Sequence, residues 1–147
     1  MSERLVIASD HGGVALKKEL VEGLREAGYV VDDIGTHGTE ATDYPDYAHA
    51  AARGILDGRY DRGILICGTG VGMAMSANRH RGIRAVNCSD VFTARYSRAH
   101  NDANVLALGG RVLGFGLAWE IVQMWLTTPF SNDTRHMRRI TKVEAPP

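Results

Sequence analysis

Short runs of aliphatic and β-branched residues alternate along this chain with longer segments whose apolar positions recur every three to four residues. Leu5–Ser9 reads as a first strand and Val14–Ala27 as a helix, with Leu16, Leu20 and Leu24 on one face and Gly28 as its stop. Tyr29–Ile34 reads as a second strand. A loop rich in Gly, Thr and Asp follows, and then a helix over Tyr47–Leu56. Gly63–Cys67 reads as a buried third strand running straight into Gly68-Thr69-Gly70-Val71-Gly72, with Met73–His80 helical behind it. Ile83–Asn87 is the expected fourth strand and Ser89 the expected N-cap of a helix over Val91–His100. Val105–Leu108 is the fifth strand, Gly116–Leu126 an apolar helix stopped before Pro129, and Asp133–Val143 a last helix.

Strands and helices in βαβ order predict an α/β fold, a three-layer α/β/α sandwich around a doubly wound, five-stranded parallel sheet of Rossmann-like type. With 147 residues and no linker, repeat or low-complexity stretch, one domain is expected over 1–147, carrying a helical tail from about residue 130. Ligands of such sheets bind beyond the carboxyl ends of the strands. Asp10-His11, Gly35-Thr36, Cys67 to Gly72, Cys88-Ser89 and Gly109-Gly110-Arg111 are therefore the segments to search for chemistry.

Charge narrows the choice. Seventeen Lys and Arg balance seventeen Asp and Glu, so no net field draws the chain to nucleic acid or to an anionic membrane. Arg135, Arg138, Arg139 and Lys142 do cluster late, which on a neutral protein points to a small anion. The opening residues turn polar too soon for a signal peptide, and no apolar run suits a membrane span. Cys67 and Cys88 are far apart and form no C-x-x-C pair, so neither a disulfide framework nor a zinc site is indicated, and a cytoplasmic location is expected.

The glycine loop after the third strand is the strongest local signal. Glycines between a strand and a helix let backbone N–H groups face an anion, aided by the helix dipole. A plain tight turn is the bland reading. A dinucleotide fingerprint is the rival, but Met73 breaks the G-x-G-x-x-G spacing and the loop follows the third strand instead of the first, although Asp90 lies about twenty residues on. No Walker loop is present. A cysteine in Ile-Leu-Ile-Cys is by default a core residue, yet Cys67 abuts a helix N-terminus, where thiols turn acidic and reactive. Cys88 has no such loop and reads as structural. Asp10-His11 places a carboxylate and an imidazole at the ligand edge, against the plainer reading of an N-cap beside a surface histidine. His100, taken alone, reads more readily as a helix C-terminal cation than as a catalyst. No histidine spacing suggests a metal site, and no cofactor is expected. Arg135, Arg138 and Arg139 share a helical face, either solvated or clamping a phosphate.

Six stretches together resemble the ribose-5-phosphate isomerase B and galactose-6-phosphate isomerase family. They are Ser9-Asp10-His11-Gly12-Gly13, Asp43-Tyr44-Pro45, Cys67 to Gly72, Ala77-Asn78, Gly82-Ile83-Arg84-Ala85, and the run from His100 to Arg111. The resemblance implies an aldose–ketose isomerase acting through ring opening and a cis-enediolate, without metal or cofactor. Cys67 would be the base at C2, and His100 with Asp10 the ring-opening pair. Gly68, Gly70, Val71 and Gly72 would form the anion hole, with Thr69 adding a hydroxyl near the sugar oxygens. His11, Arg135 and Arg139 would meet the phosphate, and Asn101 and Arg111 would be further substrate contacts. The family also implies a homodimer or homotetramer with active sites shared between subunits. Another branch carries a Glu base where this chain has Met73. The expected pair is D-ribose 5-phosphate and D-ribulose 5-phosphate; a galactose or allose 6-phosphate or a tetrose phosphate is the alternative within the family, and a non-catalytic nucleotide-binding module the remote one outside it.

Overall fold

The computed structural model describes residues 3–146. Five strands, β1 (Arg4–Ser9), β2 (Val30–Asp33), β3 (Arg62–Cys67), β4 (Ala85–Asn87) and β5 (Val105–Gly109), form one sheet in the order β2-β1-β3-β5-β4. Every pairing is parallel. Six helices connect and cover them: α1 (Val14–Glu26), α2 (Tyr44–Leu56), α3 (Val71–Ala77), α4 (Val91–Ala99), α5 (Phe115–Thr127) and α6 (Thr134–Glu144). A 3-10 turn, His11–Gly13, joins β1 to α1.

The alternation of strand side chains builds two cores. Leu5, Ile7, Ile64, Ile66, Leu106 and Leu108 point to one face and meet Leu20 and Leu24 of α1, Ala94 of α4, and Ile121 and Trp125 of α5. Val6, Ala8, Leu65, Cys67 and Ala107 point to the other, where small residues of α2 (Ala48, Ala51, Ala52) let that helix lie close, beside Met73 of α3. This is the three-layer, doubly wound sandwich that the sequence predicts. No described helix is long and apolar enough to cross a membrane.

Element ends depart from expectation by a few residues, for local reasons. α2 begins at Tyr44, three residues early, because Pro45 occupies a first-turn position where its missing N–H costs nothing. The N-cap of α4 is Asp90 and not Ser89: its Oδ1 accepts the Thr93 N–H at 2.6 Å, and its Oδ2 the Thr93 hydroxyl at 2.8 Å. α3 starts at Val71 and ends at Ala77, earlier at both ends than the expected Met73–His80.

Winding direction reverses between β1 and β3, so the crevice beyond their carboxyl ends is the switch point at which such folds bind ligands. α6 differs from the other helices in having no buried residue.

Candidate active site

Asp10 follows β1 and Cys67 ends β3, so the two flank the crevice. Asp10 is buried. Its backbone N–H reaches the Ile66 carbonyl at 3.1 Å, and its Oδ1 accepts the Gly12 N–H at 2.9 Å. The capping role and the site position thus belong to the same carboxylate. His11 is held by reciprocal bonds with Thr42: the His11 N–H donates to Thr42 Oγ1, and Nδ1 accepts the Thr42 N–H, both at 3.2 Å. With Nδ1 accepting, Nε2 is the ring nitrogen left for an outside partner.

Cys67 is buried, 4% exposed, where the α2–α3 core meets the glycine loop. Its Sγ accepts a hydrogen bond from Gly70 N–H at 3.1 Å. The peptide that supplies this N–H is held from behind, because Asn87 Nδ2 donates to the Thr69 carbonyl at 3.1 Å. A trans peptide sets its C=O and N–H in opposite directions, so anchoring the one aims the other. Gly70 has φ +86°, a conformation that favours glycine, and Val71 then opens α3. The Thr69 hydroxyl accepts the Val71 N–H at 3.2 Å. Two of the loop's N–H groups, those of Gly70 and Val71, are therefore already committed, whereas those of Gly68, Thr69 and Gly72 have no partner among the described residues.

β5 locks the loop. Gly110 N–H donates to the Cys67 carbonyl at 2.8 Å, and Arg111 N–H to the Gly68 carbonyl at 3.0 Å. A Cβ on Gly110 would come within 2.6 Å of the Gly12 carbonyl, so the ends of β1, β3 and β5 interlock only with glycine there. The Arg111 guanidinium lies over Gly68. Asp10, His11, Cys67, Gly68 to Gly72 and Arg111 therefore converge on one edge.

The remaining candidates sit at the opposite edge. α4 leaves the carboxyl end of β4 and runs back across the sheet, so His100, its C-cap, stands at the start of the turn that leads to Asn104, whose carbonyl accepts the N–H of Gly63 at the start of β3. Cys67 lies four residue steps along β3 from Gly63, about 13 Å of rise. His100 stacks on His136 of α6, ring centroids 4.2 Å apart and 13° from parallel. Burial, and then the neighbouring His100, hold His136 below the ordinary histidine range. Asn101 and Arg139 line a groove of ≈ 610 Å³ between α6 and the β4 edge. Arg135 is exposed and bonded to Asp133, whose Oδ1 accepts from its Nε at 3.2 Å. One chain thus carries two separated clusters, with His100, Asn101, Arg135 and Arg139 apart from Cys67.

A family model described as ribose/galactose isomerase matches residues 5–143. The chain belongs to that family. It is 47% identical over 143 residues to the ribose-5-phosphate isomerase B of Escherichia coli, covering 97% of this chain and 95% of that one. It is 42% identical over 127 residues to the D-erythrulose-4-phosphate isomerase of Pectobacterium atrosepticum, covering 86% and 84%. The solved ribose-5-phosphate isomerase B of Clostridium thermocellum superposes with a TM-score of 0.94 at 49% identity, covering 96% and 95%. The protein is a sugar-phosphate isomerase.

Several features of this isomerase escape a reading of sequence. Thr42, which fixes His11, is an unremarkable threonine in a polar loop. Asn87 looks like any residue at the end of a strand. Tyr44 packs its ring on Gly72, where a Cβ would come within 2.4 Å, and only the Asp43-Tyr44-Pro45 stretch hinted at it. Among the described residues no three His, Cys, Asp or Glu side chains gather as a metal site would need. Asp90, the acid of the dinucleotide rival, serves here as the N-cap of α4, accepting from the Thr93 N–H and hydroxyl.

Cys88 is buried, and burial first, then nearby Asp90, push its thiol up to about 12. Cys88 should therefore resist iodoacetamide in the folded protein at neutral pH, and Cys88→Ala should leave inactivation kinetics unchanged. Peptide mass spectrometry after labelling checks this, and a Cys88 adduct formed as fast as a Cys67 adduct would contradict it.

Proposed function

We propose that this isomerase interconverts D-ribose 5-phosphate and D-ribulose 5-phosphate, with Cys67 as the base, at sites that two copies of the chain complete for one another. The observation that carries the reading is the cysteine at the switch-point edge, facing a donor from its own glycine loop, while the ring-opening histidine lies at the far edge. The catalytic roles come from the resemblance of these positions to the family. The 47% identity to a ribose-5-phosphate isomerase B over nearly the whole chain supports the pentose substrate.

In this mechanism Asp10 of one copy and His100 of the other move the proton that opens the furanose. The Cys67 thiolate takes the C2 proton of the open aldose, and the C2–H electrons form the C1–C2 double bond as the carbonyl electrons move to O1. The enediolate lies against the free N–H groups of Gly68, Thr69 and Gly72. One such donor is worth roughly 3–4 kcal/mol to a developing oxyanion. The O2 proton passes to O1, C2 becomes the carbonyl, and the thiol returns its proton to C1. The phosphate, gripped by His11, Arg135 and Arg139, supplies orientation from a distance. Two unpaired cysteines suit a reducing cytoplasm.

An isomerase assay over ribose, allose, galactose and erythrulose phosphates, run with EDTA and in heavy water, tests the proposal. The expected outcome is a preference for the pentose, EDTA-insensitive turnover and solvent deuterium at C1 of the product. Preference for a tetrose or hexose phosphate would move the substrate within the family. Activity lost to EDTA and regained with a divalent ion would overturn the proton-transfer route.

Arg135→Ala and Arg139→Ala should chiefly raise KM, with kcat much less affected, because they meet the remote phosphate. Arg138→Ala should matter less, since Arg139, not Arg138, lines the groove beside Asn101. Steady-state kinetics of the three variants decide, and a dominant Arg138 effect would reverse the assignment.

A further inference from the structure

Arg84 is assigned no role by the chemistry above, yet it touches both parts of the second cluster. Its Nε donates to the carbonyls of Asn101 (3.1 Å) and Asp102 (3.2 Å), and its Nη2 donates again to Asp102 at 3.0 Å. Its Nη1 reaches the other way, to Glu144 Oε1 at the end of α6, at 2.8 Å. Glu144 Oε2 in turn accepts the Gly82 N–H at 2.8 Å. The pair is largely withdrawn from solvent, with side chains 19% and 22% exposed. The turn it grips is one that needs holding. Asp102 has φ +47°, in the left-handed region that a non-glycine residue rarely enters, and it lies two residues after His100.

α6 has no buried residue, so packing into the core does not fix it. Its attachments near this edge include the stack of His136 on His100 and the bonds that Glu144 accepts from Arg84 and from the Gly82 N–H. We infer that Arg84 is the positioning residue of the second half-site: one guanidinium fork that fixes the His100–Asn101 turn relative to the helix carrying Arg135 and Arg139. A planar five-donor fork can hold two carbonyls and a carboxylate at once, which an ammonium cannot. The inference rests on the shared-site proposal, because it assigns Arg84 to the half that serves the partner's Cys67.

Heterodimers carrying two different affinity tags, purified through both, separate this role from a general loss of stability. Cys67→Ala paired with His100→Asn is the control and retains one complete composite site. Arg84→Gln paired with Cys67→Ala should match it, because the surviving site draws Cys67 from the Arg84→Gln chain and an intact His100 half from the other. Arg84→Gln paired with His100→Asn should be at least about tenfold less active, as its only site depends on a loosened His100. Arg84→Lys should recover part of the loss. Glu144→Gln, which frees only α6, should raise KM while kcat stays within about twofold.

Equal activity of the two Arg84→Gln heterodimers would overturn the assignment. An inactive control beside an active wild type would instead sink site sharing. Hydrogen exchange then judges Arg84 by itself: faster exchange over residues 100–104 and 134–144, with 67–72 unchanged, supports it, and unchanged protection there overturns it.

Discussion

Cys67→Ala should lower kcat by about 10²-fold or more while leaving KM close to its wild-type value. The variant loses the proposed base, while the proposed phosphate contacts, which would dominate substrate affinity, are made by other residues. The substitution is also mild for the fold: Cys67 lies where the α2–α3 core meets the glycine loop, and alanine removes one sulfur there. It does leave the Gly70 N–H without its acceptor. Cys67→Ser restores an acceptor but not a thiolate, so it should be nearly as inactive. Iodoacetamide should inactivate the wild type, and substrate should protect it. If Cys67→Ala turns over at nearly the wild-type rate, the base lies elsewhere and Asp10 is the next residue to replace.

Mixing two inactive variants should regenerate activity. If two copies of the chain share their sites, Cys67→Ala and His100→Asn should each disable every site in their own homodimers. In a heterodimer of the two, one site receives Cys67 from one chain and His100 from the other, while the second site receives neither. Random reassociation makes half the dimers mixed, each with one of two sites intact, so activity should rise to about a quarter of wild type. The gain should require subunit exchange and fail when the homodimers are cross-linked before mixing. No gain after demonstrated exchange would mean that each chain closes its own site, against the strand rise of about 13 Å that separates the two clusters.

Most of the fold was legible because it rests on short-range rules. The alternation Leu5, Val6, Ile7, Ala8 announces a strand buried on both faces, and Leu16, Leu20 and Leu24 announce the helix that covers one of them. What the pattern missed depends on hydrogen bonds between neighbours in space. Ser89 and Asp90 are both good caps, and only the turn's dihedrals choose Asp90. Lys17 of α1, on which the pattern is silent, is 2% exposed and bound to Asp33 Oδ1 at 2.6 Å, a pairing that exists only once β2 lies beside β1. At the Cys67 edge the shared position of Asp10, His11, Cys67 and Arg111 was legible because these residues follow strands directly, whereas Thr42, Asn87 and Tyr44, which hold them, were not. The His100 edge was not, because the resemblance groups residues by role, whereas the return of α4 across the sheet decides where they stand.

The β5 clasp on the glycine loop also sets an order of assembly. β5 lies between β3 and β4 in the sheet although it is the last strand in the chain. The Cys67 and Gly68 carbonyls find their partners only in Gly110 and Arg111. A nascent chain that has emerged only as far as α4 holds Cys67 without its cradle, and its β3 and β4 edges face a gap that β5 fills. Maturation of the thiol therefore waits on the slowest kind of folding event, a parallel strand inserting between two others from a distant point in sequence. The ribosome must release roughly the first three-quarters of the protein before that step can begin, and until then the exposed strand edges are where aggregation or chaperone capture would act.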